Sequence, residues 1–151
     1  YALSALELGR INVASRAVGV AQAAFDAAMS YAQERETFGQ PIFKHQAIQF
    51  KLAEMATKLQ AARLMTYDAA ARADAGERVD MEAGMAKLFA SEAAYEIATD
   101  ALRIHGGNGY TTEYPVERYF RDTPLMIIGE GTSEIQKMVI ARKLLDRYSV
   151  E

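Results

Sequence analysis

At 151 residues, half of them apolar, the chain is long enough to fold as one domain around a sizeable core. Its formal net charge of −3 argues against broad electrostatic attraction to nucleic acid or acidic lipid, and no run of basic residues offsets that sum. The absence of cysteine excludes disulfides and thiolate metal sites, and no apolar run approaches the ~18–20 residues that span a bilayer, so neither a nucleic-acid partner nor membrane insertion is expected.

The chain opens at Tyr1 inside a periodic helix, which suggests a piece of a longer polypeptide. Proline and glycine are rare over residues 1–35 and 44–75, where alanine, leucine, glutamate, lysine and methionine dominate, a composition that favours helix. In the second of these segments Ile48, Leu52, Met55, Leu59 and Ala62 step by four and three along one stripe, as a bundle seam requires. "ETFGQPIF" breaks the first helix from the second, with Gly39 suited to end one and Pro41 to stand near the start of the next. A second break at "ADAGERVD" leaves Asp80 to cap a third helix carrying Met81, Met85, Leu88 and Phe89 on its core face. The third break, "HGGNGYTTEYP", holds more glycine than a helix end needs. Pro115 opens a short helical segment, and Pro124 interrupts the chain before "MIIGEGTSEIQ". There Ser133 and Gln136 form a capping-box pattern, and Ile135, Met138, Val139, Arg142 and Leu145 follow at helical spacing.

No segment shows sustained period-two alternation, so no sheet is expected. The pattern predicts an all-α fold, an antiparallel four-helix bundle with a short extra helix, as a single domain over residues 1–151. Helices of about thirty residues, near 45 Å at ~1.5 Å per residue, are long for a monomer of this size and imply partners along their sides.

Chemistry concentrates at helix ends. Glu130, between Gly129 and Gly131, reads as a solvated loop charge, as an acid facing a helix N-terminus, or as a catalytic base on a bare loop. "RETFGQP", "KHQ" at 44–46 and "RIHGGNGY" suit an anion such as a pyrophosphate, because glycines allow close approach to backbone amides. Arg35 offers a guanidinium fork to phosphate oxygens and Thr37 a hydroxyl, although an arginine at a helix C-terminus is favourable on dipole grounds alone. His45 and His105 lack the i, i+4 spacing of paired metal ligands, and no metal site is expected.

The segments "RINVASRAVGVAQAAFDAAMSYAQERETFGQPIFKHQAIQFKLAEMA", "MAKLFASEAAYEIATDALRIHGGNGYTTEYPVERYFRD" and "IIGEGTSEIQKMVIAR", in this order, resemble the C-terminal domain of acyl-CoA dehydrogenases. The resemblance covers essentially the whole chain. It implies the last of three domains, after an N-terminal helical and a middle β-domain, in a homotetrameric flavoenzyme of fatty acid oxidation. Such an enzyme carries FAD, converts fatty acyl-CoA to trans-2-enoyl-CoA and passes its electrons to an electron-transfer flavoprotein, in the bacterial cytoplasm or the mitochondrial matrix. The fragment alone is expected to be inactive and to bind FAD poorly.

By the same resemblance Arg35, Glu36 and Thr37, with Phe38 beside them, reach a neighbouring subunit's FAD, and His45 and Gln46 make a second contact. Arg103, Ile104, His105, Gly106 and Gly107 match the glycine segment that touches flavin, with Arg103 where the family commonly has glutamine. Thr132, Ser133 and Glu134 match further FAD contacts. Glu7, Leu8, Gly9 and Arg10 match the helix segment lining the acyl-CoA site, and Gly131 a glycine against the thioester. Glu130 falls on the catalytic base, which some members place instead at the position of Gly9. "RINVAS" and "MAKLFA" resemble short branched-chain members. The rival implications are a flavin oxidase or monooxygenase relative, in which the loop acid is usually changed, and a non-catalytic assembly subunit.

Overall fold

The computed structural model describes residues 2–149, with side chains from residue 7 onward. Three long helices, α1 (Ala2–Glu34), α2 (Gln46–Asp74) and α3 (Asp80–His105), are followed by two short ones, α4 (Val116–Ile128) and α5 (Ser133–Arg147). The all-α bundle expected from the sequence is the fold.

Its seam is built from the smallest helix-forming side chain. Ala14, Ala17, Ala21, Ala24, Ala28 and Ala32 of α1 and Ala83, Ala86, Ala90, Ala94, Ala98 and Ala101 of α3 are all essentially inaccessible to solvent. Alanine favours helix and lets two backbones approach closely. Glu7 of α1 meets Val79 just before α3, and Tyr31 stacks on His105 at the far end, so these two helices run parallel. The second helix, α2, returns antiparallel, with Leu52, Met55, Leu59 and Ala62 buried as the stripe predicts and Ile48 half-buried beside them. Ion pairing of Lys51 with Asp100 and a hydrogen bond from Arg63 to Gln22 set its register.

The fourth limb of the bundle is a pair. Both α4 and α5 run antiparallel to α3: the Tyr95 and Phe120 rings lie 5.7 Å apart, and Lys143 reaches Asp80 at 3.4 Å. Four residues, 129–132, separate the two helices. Pro124 does not interrupt the chain as expected but lies inside α4. A proline there leaves the Phe120 carbonyl without its helical donor, and the buried Thr123 hydroxyl supplies one at 3.0 Å.

Local chemistry departs from the sequence reading at four further places. The first break holds a two-stranded hairpin, β1 (Glu36–Thr37) against β2 (Gln40–Pro41), too short to show alternation. Gly39 therefore serves its turn rather than a helix end: Phe38 at φ 52° and Gly39 at φ 76° are both left-handed, as a tight hairpin demands. Asp80 is not the cap of α3 but its first residue, drawn into pairing with Arg10, Arg78 and Lys143. On α3 only Met81 of the predicted apolar stripe is buried; Met85 and Leu88 are half-buried and Phe89 exposed, because the alanine face takes the core. Thr132, one residue before Ser133, caps α5, its Oγ1 accepting from the Ile135 amide at 3.4 Å.

Candidate active site

Two clusters stand at opposite ends of α1. At its N-terminal end the break between α4 and α5 folds over the helix, and Val13, Arg16, Leu125, Met126, Gly129 and Glu130 line a cleft of about 160 Å³. Glu130 is left-handed at φ 55°, a conformation unusual for a side chain larger than asparagine. Its carboxylate lies directly against Gly9: a Cβ built on that glycine would stand 2.6 Å from Oε2. The bare helix surface is what gives the acid its place.

The loop beneath is held by hydrogen bonds to its carbonyls. Lys87 Nζ donates to Ile127 O at 2.8 Å and to Gly131 O at 2.7 Å, while Gln136 Nε2 donates to Glu130 O at 2.9 Å and Gly131 O at 3.1 Å. Gly131 has φ 94°, and a Cβ there would fall 2.7 Å from that amide nitrogen. Ser133 is buried and donates its hydroxyl to Glu92 at 2.5 Å. Glu134 lies in the first turn of α5, where its own backbone N–H and the Thr132 hydroxyl hold its carboxyl below the usual value.

Of the other residues matched to the acyl site, Leu8 is exposed and the two charges are not. Glu7 is buried and accepts from Arg78 Nε at 2.9 Å and from the Val79 amide at 3.3 Å. Arg10 is buried with Asp80 at 3.9 Å.

The second cluster joins the C-terminal ends of α1 and α3. Tyr31, Arg35, Thr37, Ile42, Ile104, His105, Gly106, Gly107 and Asn108 line a cleft of about 370 Å³. His105 stacks on Tyr31 with ring centroids 4.1 Å apart and hydrogen-bonds the Ala101 carbonyl through Nδ1 at 2.8 Å. Burial pushes its pKa down, and that hydrogen bond only partly opposes the effect. Asn108 donates to the Tyr31 hydroxyl at 2.9 Å, which ties the glycine segment to α1. Thr37 and His45 share a hydrogen bond of 2.9 Å. Gln40 donates to His45 Nδ1 at 3.3 Å, so Nε2 carries the proton and donates to Thr37. The glycine surplus resolves by position. Gly106 has φ 58°, and a side chain on Gly109 would collide with the Leu102 carbonyl, whereas Gly107 faces open space. Glu36 and Gln46 are exposed beside the cleft, and Arg103 points out towards Asp100 at 3.9 Å.

The profile of the acyl-CoA dehydrogenase C-terminal domain matches residues 1–145. The chain belongs to the acyl-CoA dehydrogenase family. Among its relatives, the 3-(aryl)acrylate reductase of Clostridium sporogenes is 56% identical over 144 residues, 95% of this chain and 38% of that one. The caffeyl-CoA reductase-Etf complex subunit CarC of Acetobacterium woodii is 50% identical over 146 residues, 97% of this chain and 38% of its own. Butyryl-CoA dehydrogenase from Megasphaera elsdenii superposes with a TM-score of 0.92 at 44% identity, covering 93% of this chain and 37% of that structure. The chain thus spans under two fifths of the length of the curated relatives it matches.

In this acyl-CoA dehydrogenase domain, sequence reasoning missed Lys87, Tyr31, Gln40 and Asn108. Only Lys87 carried a signal. It occupies a core register between Ala83 and Ala90, where a charge has no place without a partner.

Proposed function

We propose that this chain is the C-terminal domain of an FAD-dependent acyl-CoA dehydrogenase, following an N-terminal helical and a middle β-domain, with Glu130 as the base that removes the substrate's α-proton. The observation that carries the reading is the Glu130 carboxylate, held on a left-handed loop against a helix that has no side chain there. A thioester entering the adjoining cleft presents its α-carbon to that carboxylate. The Cα–H bond breaks, its electron pair becomes the new α,β π bond, and the β-hydrogen leaves with its own pair. FAD, when bound, supplies the hydride acceptor and afterwards delivers the electrons to an electron-transfer flavoprotein. Leu8 stands exposed one residue before Gly9. An α-proton of a thioester is too weakly acidic for an unassisted carboxylate, so fixed donors at the carbonyl oxygen and exclusion of water complete the catalysis.

The second cluster fits the phosphates and ribose of a dinucleotide. Arg35 brings an exposed guanidinium to the cleft, Thr37 and His45 bring polar atoms, and Gly107 offers an open backbone. Phe38 is 97% exposed and left-handed. An apolar ring held out by a costly backbone conformation fits a surface that is covered in the assembled enzyme. Along α1, Gly9 and Tyr31 are 22 residues apart, about 33 Å at ~1.5 Å per residue and near the diameter of a small domain. At that spacing the two clusters are read as serving different flavins. The reading therefore places each flavin between the Glu130 end of one subunit and the Arg35 end of its neighbour.

The reductase names of the Clostridium and Acetobacterium relatives favour a second direction on the same site. By microscopic reversibility, a protonated Glu130 would return the α-proton to an enoyl thioester. In either direction, Glu130→Gln in the full-length enzyme should retain flavin and substrate yet slow anaerobic flavin bleaching by acyl-CoA at least ~10²–10⁴-fold, the usual worth of a positioned base. Bleaching within a few-fold of wild type would remove Glu130 from the reaction.

A further inference from the structure

We propose that Lys87 and Gln136 form the clamp that positions the catalytic loop, holding the carbonyls of Ile127, Glu130 and Gly131 inward so that the Glu130 carboxylate stays over Gly9. The proposal rests on Glu130 being the base. Neither residue has a role in the reading above, and neither reaches the cleft itself.

Lys87 is the bulkiest fully buried side chain among the described residues, with no exposed surface, on a helix face whose neighbours Ala83, Gly84, Ala90 and Ser91 are all small. An ammonium in such a place needs strong partners. Two of its three hydrogens go to loop carbonyls, one in the last turn of α4 and one just before α5, and it forms no direct ion pair among the described residues. Burial lowers its pKa, opposed by the more distant carboxylates of Glu92 and Glu134. A lysine kept there for packing alone would be replaceable by methionine. Its contacts instead span both ends of the residue run that carries the base.

Gln136 carries an independent sign of the same purpose. It is fully buried, both of its hydrogen bonds are donated to loop carbonyls, and its Oε1 has no partner. A buried amide oxygen left unpaired is costly, so what the position uses is the donor side. Gly131 is bare where a Cβ would block that amide. These hydrogen bonds hold the carbonyls of residues 127, 130 and 131 inward, on either side of the left-handed turn at Glu130.

The test uses full-length Lys87→Met and Gln136→Met, with Glu130→Gln as reference. The probe is an acyl-CoA whose β-carbon is replaced by sulfur, so that the α-proton exchanges with deuterated solvent but no hydride leaves. Flavin content, melting temperature and probe affinity are measured alongside. A misplacement of about 1 Å costs on the order of 10²-fold in rate. Both methionine variants should therefore lose α-exchange by that factor while probe affinity changes less than about five-fold. If Glu130→Gln abolishes exchange and the methionine variants exchange within three-fold of wild type, the clamp is wrong and the base assignment stands. If Glu130→Gln leaves exchange intact, the base assignment fails instead. Loss of folding or flavin in both methionine variants would make these residues stability elements and overturn the positioning role.

Discussion

With Glu130 as the proposed base, its contact with Gly9 ties activity to the absence of one methyl group. A glycine in a helix interior is less favourable than alanine by about 0.8–1 kcal/mol, so the position carries a stability cost that the fold itself does not explain. Gly9→Ala in the full-length enzyme should recover that amount, raising the melting temperature. The new Cβ, 2.6 Å from Oε2 and 2.7 Å from Cδ, must push the carboxylate aside. Turnover should then fall on the order of 10²-fold, as expected for a displaced reacting group. Calorimetry and steady-state rates on the same preparation check both halves. A variant as active as wild type would mean that the carboxylate works from another pose. The same observation gives a physical reason why a base at the Gly9 position and a base at the Glu130 position exclude one another: they claim the same volume.

At the scale of the elements, α3 is the organiser, carrying the ion pairs of Asp80 at one end, Lys87 and Glu92 beneath the loop that holds Glu130, and His105 in the second cleft. Burial depresses the His105 pKa below its usual 6.5. The folded state therefore binds that proton less readily than the unfolded chain does. Stability should be full above about pH 6.5, fall as pH drops through the window beneath it, and level off below the folded value. Asp80 and Glu82 do not blur that window. Their burial is outweighed by hydrogen bonds from Arg78, Lys143 and Arg147, which keep both carboxyls below their ordinary range. Urea midpoints between pH 7.5 and 5.5 should decline for wild type and stay nearly flat for His105→Phe.

The long helices and their breaks were legible because periodicity and proline or glycine placement are local signals. Glu130, Arg35 and Thr37 each had a structural reading as ready as a functional one, and it was the resemblance of the segments around them that singled them out. What escaped depends on side-chain hydrogen bonds that periodicity does not display. Pro124 looks like a breaker until Thr123 is seen to satisfy Phe120, and Ser133 looks like a cap until Glu92 takes its hydroxyl. Lys87 looks like one more lysine until the alanine register fixes which face of α3 is the core.

At the scale of the whole molecule, the two clusters stand apart by most of the length of α1, and on the proposed reading each site is shared between two chains. Arg35→Ala should weaken flavin retention by roughly ten- to a hundred-fold, the equivalent of ~1.5–3 kcal/mol for a charge-assisted phosphate contact, and Glu130→Gln should leave flavin in place but stop the chemistry. Assayed at a flavin concentration that fills the wild-type site but not the weakened one, each homo-oligomer is then nearly inactive for a different reason. Mixed oligomers are not. When the two variants are unfolded together and reassembled, chance pairing places an intact Glu130 opposite an intact Arg35 in about a quarter of the sites of a symmetric assembly, and that fraction of wild-type activity should return. No recovery after verified subunit exchange would place both halves of each site on one chain. If each site is shared in this way, two lesions in this single coding sequence, one in each cluster, would complement each other wherever both alleles are expressed together, and so imitate mutations in two separate genes.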